Sequence, residues 1–169
     1  MWPALYIQPM RRLGIDLGTV RTGLALAEPD LHVATPLCTL PHASLREAVQ
    51  AISQLIVREH IEHVVVGLPL RLDGTEGDSA RRVRQFAKDL ARAAKVPVRL
   101  WDERLSSVAA QRSLHTQGMR SSQQRRVVDQ VAATLLLQSF LDQLGGDRPE
   151  HAEHPERHET EEPSDPAAP

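Results

Sequence analysis

The sequence predicts an α/β fold: a mixed sheet that opens with a β-hairpin and is flanked by helices. Two observations carry this expectation. Over residues 12–27, apolar side chains alternate with small or polar ones, a period of two. Beyond residue 44, short β-branched runs alternate with stretches of helical periodicity, the pattern of strands joined by crossover helices.

In the first hairpin, Leu13, Ile15 and Leu17 alternate with Gly14, Asp16 and Gly18, and Leu24 and Leu26 resume the pattern after Gly23. Residues 32–40 give a weaker third strand, interrupted by Pro36. Ser44 is placed to cap a helix over residues 45–59, with Leu45, Val49, Ile52 and Ile56 at helical spacing. The run from His63 to Leu68, built on Val64, Val65 and Val66, is short and β-branched, which favours a buried strand. Residues 69–77 carry two glycines and no periodicity, a loop. Asp78 or Ser79 starts a second helix that sets Val83, Phe86, Leu90 and Ala94 on one face. Pro97 opens a strand over Val98–Trp101. Ser106 or Ser107 caps a short helix that Gly118 ends. A polar, basic connector is expected over residues 119–126. The last helix, residues 127–143, is apolar around most of its circumference and is expected to be buried.

The 169 residues suffice for one domain, placed at 10–144, after an extension at 1–9 and before a tail at 145–169. Met10 is a plausible initiator. Aromatic residues make up only 3%, so the core must come from Val, Leu, Ile and Ala. A single cysteine, Cys38, excludes an internal disulfide framework and fits a reducing compartment. No apolar run approaches the ~18 residues of a membrane span. Residues 1–10 lack the pattern of a secretory signal, so a cytoplasmic protein with no membrane partner is expected. The formal charge of −2 hides an asymmetry: the tail holds eight acids against Arg148 and Arg157, leaving 18 basic and 14 acidic residues before it. Such a body tolerates a polyanion without by itself indicating one. The Pro-, Glu- and His-rich tail has no apolar face and is expected to be disordered. Its His151, His154 and His158 read better as a solvated spacer than as a metal site.

Three acids stand in unexpected places. Asp16 lies within the first strand and points to the face opposite Ile15 and Leu17, beside small neighbours that leave room for a ligand. Either it meets a partner or cation there, or it is an ordinary acid on a half-solvated strand. Asp102 and Glu103 sit where a strand ends, a common place for catalytic groups in α/β sheets. Their side chains point to opposite faces, so one of the pair serves a site while the other pairs with Arg104 or caps a helix. Asp129 precedes the apolar Val131, Ala132, Leu135 and Leu136, where it is either a site residue or a favourable first-turn charge. If the acids converge, repulsion decides their state. Two like charges about 4 Å apart repel by roughly 4 kcal/mol at an effective dielectric of about 20. A convergent trio therefore needs divalent cations or raised pKa values, and oxygen-rich ligands select Mg²⁺ or Mn²⁺.

The blocks Gly14-Ile15-Asp16-Leu17-Gly18-Thr19-Val20-Arg21-Thr22-Gly23, Val66-Gly67-Leu68-Pro69-Leu70 through Asp73-Gly74-Thr75-Glu76-Gly77, Trp101-Asp102-Glu103-Arg104-Leu105-Ser106-Ser107 and Val128-Asp129-Gln130-Val131-Ala132-Ala133 occur in this order. Together they resemble the YqgF family, the RuvX-type Holliday junction resolvases or pre-16S rRNA nucleases, over residues 12–143. The resemblance implies an RNase H-like fold and a cation-dependent site of Asp16, Glu103 and Asp129, and it selects Glu103 over Asp102. Glu28 stands where the family commonly has aspartate, and Gln130 where lysine is common. Ser121 to Gln124 are uncharged where relatives are often basic, which bears on affinity more than on cleavage.

The expected activity is phosphodiester hydrolysis in structured RNA or branched DNA by metal-activated water. Arg21, Arg71 and Arg104 are candidates for phosphate contact, with internal pairing or solvent exposure as the alternative for each. Arg125 and Arg126 are the best placed for the strand backbone. Scarce aromatics make base stacking minor, so binding should be salt-dependent. Two other classes compete. The first block also looks like a phosphate loop of actin-like ATPases, but no second nucleotide-binding segment is visible and the chain is short for two such domains. A non-catalytic ribosome-assembly factor on the same fold would have lost turnover, yet all three acids are present. Two symmetric cuts in a junction would call for a homodimer.

Overall fold

A computed structural model describes residues 10–29, 31–105 and 122–146. Five strands form one sheet: β1 (Arg12–Leu17), β2 (Arg21–Ala27), β3 (Ala34–Pro41), β4 (His63–Leu68) and β5 (Val98–Asp102). Their order across the sheet is β3-β2-β1-β4-β5. The β1–β2 and β2–β3 pairs are antiparallel, and β1–β4 and β4–β5 are parallel. This is the mixed, hairpin-led sheet that the sequence predicts.

Pro36, which lacks an amide N–H, is tolerated because β3 is an edge strand. The register shifts beside it: Leu24 pairs with Cys38 and Ala25 with Pro36, so Leu37 is skipped.

Helices α1 (Leu45–Arg58) and α2 (Asp78–Ala94) cover one face of the sheet. Ser44 caps α1 as expected, its hydroxyl accepting from the Glu47 amide. Helix α2 starts at Asp78, as expected, with Gly77 in the N-cap position. Both helices turn apolar stripes onto Leu13, Ile15, Leu24, Val64 and Val66 of the central strands. The opposite face is covered by α3 (Ser122–Gly146).

The last helix departs from expectation twice. It begins at Ser122, so the chain expected to connect into it is already helical from there. Nor is it buried all round. Ala132, Ala133, Leu136, Leu137, Phe140, Leu141 and Leu144 are buried at helical spacing, whereas Val127 and Val131 are exposed. High apolar content concealed a one-sided stripe. The proposed extension at 1–9, the short helix after Ser106 or Ser107, and the tail with its histidines lie outside the described residues. Among the described residues, no helix is long and apolar enough to cross a membrane.

Candidate active site

The α3 face of the sheet is built differently from the other. Alternation sets Gly14 and Asp16 of β1, Gly23 of β2 and Val65 and Gly67 of β4 on this side. Gly23 lies directly across from Asp16 in the register. A methyl group at Gly23 would run into the Asp129 backbone carbonyl, and one at Gly14 would lie 2.7 Å from Leu137 Cβ. Glycine therefore lets α3 approach the sheet backbone and lowers Asp129 beside Asp16.

On the other flank, Val66 pairs with Ile15, so Gly67 falls next to Asp16 one step further along the parallel strands. Chain after β5 turns into a short 3₁₀ segment at Glu103–Leu105. Glu103 folds back over β4, where a methyl on Gly67 would lie 2.6 Å from its Oε1. One row across the sheet thus reads Asp129 over Gly23, Asp16 in the middle, and Glu103 over Gly67. Neighbouring strands are about 4.8 Å apart, which sets the scale of that row.

Asp16 and Glu103 are both buried, at 6% exposure each, while Asp129 is half-buried. Burial raises the Glu103 pKa to about 7, and the charge of Asp102 pushes the same way. Asp102 itself is held low by hydrogen bonds from Arg104, the nearest 2.6 Å long. The adjacent acids are thereby separated, one into a surface ion pair and one into the interior. Asp129 accepts from Arg21 Nε at 2.8 Å through Oδ2. It lies in the third turn of α3, whose first turn holds no acid, so the reading of Asp129 as first-turn charge does not hold.

A cavity of about 280 Å³ opens where β1 ends, lined by Asp16, Thr19, Pro69, Ser79, Arg82 and Asp129 among others. Glu103 lies outside that lining. Among the described residues, no three His, Cys, Asp or Glu side chains are gathered into a preformed cation cage.

The turn between β1 and β2 is braced from several sides. Gly18 N–H donates to the Arg21 carbonyl, and His42 N–H donates to that of Val20. Arg82 Nη2 donates to the carbonyls of Gly18 and Thr19. His42 also meets the Thr22 hydroxyl at 3.0 Å. Its pKa is lowered by burial first and by the Arg82 charge second.

Of the arginines singled out from sequence, Arg21 and Arg104 are engaged by Asp129 and Asp102. Arg71 lies at the base of its loop beside Gly77, and Arg126 is exposed on α3. The Arg125 side chain lies outside the described residues. Sequence reasoning missed Ser79 and Arg82. The available signal was their three-residue spacing, which puts both on one helix face next to the Val83–Phe86 stripe.

The family model described as RuvX, Holliday junction resolvase, matches residues 10–143. The chain belongs to the RuvX family. Among RuvX relatives, a protein of Mycobacterium leprae named "Putative pre-16S rRNA nuclease" is 44% identical over 144 residues, covering 85% of this chain and 78% of its own. One of the same name from Anaeromyxobacter sp. is 46% identical over 133 residues, covering 79% and 97%. The fold is RNase H-like. Thermus thermophilus RuvC, solved in complex with Holliday junction substrate, superposes with a TM-score of 0.52 at 17% identity, covering 80% of this chain and 96% of its own. RuvX membership makes this chain a nuclease by family, and the row of acids lies on the face that α3 covers.

Proposed function

We propose that this chain hydrolyses phosphodiester bonds in structured nucleic acid, with Asp16, Glu103 and Asp129 holding Mg²⁺ or Mn²⁺. The observation that supports this reading is the row of acids across one sheet face, with two of them lining a cavity. The donor set suits a hard divalent cation: it is all carboxylate oxygen, with Asp16 and Glu103 both buried. When bound, such ions polarise a phosphoryl oxygen and lower the pKa of coordinated water.

The residues have separable tasks. Asp16, central in the row, anchors the set. Glu103 closes it from the β5 side and Asp129 from α3. Arg21 fixes Asp129 through Oδ2, and Oδ1 has no hydrogen-bond partner among the described residues. Exposed Arg126, with Arg71, supplies charge for backbone phosphates, giving recognition of shape rather than bases. The relatives' names suggest precursor 16S rRNA as substrate, and the family model's description suggests four-way DNA junctions. Both are bent and dense in phosphate.

The test is a panel of both substrates with Mn²⁺, with oligomeric state measured alongside. Asp16→Asn should lower cleavage by more than the 10–100-fold typical of losing an outer-sphere partner, with the thermal midpoint kept. Undiminished cleavage would end the proposal.

A further inference from the structure

We propose that Arg82 holds a backbone phosphate of the substrate in the cavity it shares with Asp16 and Asp129. This deepens the nuclease reading and rests on it. Three observations carry it.

The first is place: Arg82 is the arginine in the lining of the cavity that contains both acids. The second is charge. Arg11, Arg21, Arg84 and Arg104 are each neutralised by a carboxylate, on Glu28, Asp129, Glu76 and Asp102. Among the described residues, Arg82 forms no such ion pair. Its partners are the carbonyls of Gly18 and Thr19, at 3.3 and 3.0 Å, which orient the guanidinium and leave its charge intact. The third is donor count. A guanidinium has five N–H groups, and both carbonyl bonds come from Nη2. The donors on Nε and Nη1 have no partner among the described residues.

A planar fork fixed by two carbonyls is already ordered before a ligand arrives, so little side-chain freedom is lost on binding. A phosphodiester entering this cavity meets the carboxylates of Asp16 and Asp129. The Arg82 cation in the same lining offsets that repulsion, and its Nε and Nη1 N–H groups are left to donate singly to phosphate oxygens.

Arg82→Gln and Arg82→Lys test this with two readouts. The first uses inorganic phosphate against chloride at equal ionic strength. Phosphate should raise the thermal midpoint of the wild-type protein, less that of Arg82→Lys, and not that of Arg82→Gln. The second is binding of the Asp16→Asn protein to a four-way junction and to precursor rRNA across a salt series. Adding Arg82→Gln should weaken binding about 10–100-fold on both substrates and reduce the salt slope by about one. Arg82→Lys guards against a folding defect, since it keeps the cation. Equal phosphate responses in wild type and Arg82→Gln, or unchanged affinity and salt slope beside a lowered thermal midpoint, would reduce Arg82 to a tie on the turn and overturn the proposal. A wild-type protein that shows the Arg82-dependent phosphate response but cleaves nothing would sink the nuclease reading and leave the phosphate site standing. Cleavage without that response would do the reverse.

Discussion

The sheet face toward α1 and α2 carries Leu13, Ile15, Leu24, Val64 and Val66, all fully buried. The face toward α3 carries Gly14, Gly23 and Gly67, with Asp16 among them and Glu103 above. On the first face, each large side chain removed from water contributes about 1.5–3 kcal/mol. On the second, glycines contribute almost none of that, and the acids oppose burial. What the second face gains is proximity. With glycine at these three positions, α3 backbone rests against β2 and a carboxylate reaches over β4, while elsewhere on this face Ala25, Val65 and Trp101 pack against Leu136, Leu137 and Phe140. One face packs large apolar side chains across all its central strands, and the other interrupts its packing at the glycines to bring charged groups into a row.

Substitutions can break this contrast. The largest effect is expected at Gly23→Ala, whose methyl meets the Asp129 backbone carbonyl rather than a side chain that can swing away. A stability loss above about 4 kcal/mol, read from urea titration, is the expected outcome, with cleavage lost alongside. A loss under about 1 kcal/mol would mean α3 is free to lift off the sheet.

A second test concerns the far end of the same face. His63 is fully buried, stacked on Phe140 with centroids 5.8 Å apart. Its pKa is lowered from 6.5 to about 4 by burial first, then by Arg12 and Arg99. The folded protein keeps this ring neutral, while unfolded chains take up a proton below the ordinary value. Its contribution is therefore fully present above pH 6.5 and lost as pH falls toward 4. The loss should reach about 3 kcal/mol in urea midpoints converted to free energy. His63→Leu should flatten that part of the profile.

Gly67→Ala sharpens the comparison. Here the added methyl meets the ends of two side chains, Leu136 Cδ1 and Glu103 Oε1, which can shift. Stability should fall by about 1–3 kcal/mol, the range for overpacking. Cleavage should fall by more than that loss of folded protein accounts for, because Glu103 is the group displaced. The smallest effect belongs to the other face. Ile15→Val removes one methylene from the apolar core and should cost about 1 kcal/mol, with cleavage by the folded protein unchanged.

Much of this was legible in the chain. Alternation in residues 12–27 gave the hairpin and put Asp16 opposite Ile15, because a strand has only two sides. The β-branched run at 63–68 gave the central strand, and Ser44 gave the start of α1. The last helix was read less well: its apolar circumference implied burial, which holds for the stripe from Ala132 to Leu144, yet Val127 and Val131 face outward. Composition registers how much apolar surface a helix has, not which part of it finds a sheet. Arg82 was invisible for a related reason. It looks like one of several charges on a solvated helix, and only the return of the β1–β2 turn against α2 gives it carbonyls to bind.

The sequence by itself determined the strands and the helix faces, since these follow from periods of two and 3.6 residues along one chain, while the choice of Glu103 over Asp102 came from the family resemblance of its motifs. Tertiary structure alone decided that Gly23 and Gly67 flank Asp16, that Asp102 goes to Arg104 while Glu103 goes inside, and that Arg21 is already engaged by Asp129. Those outcomes depend on distances between residues far apart in the chain. Local periodicity carries no information about such distances.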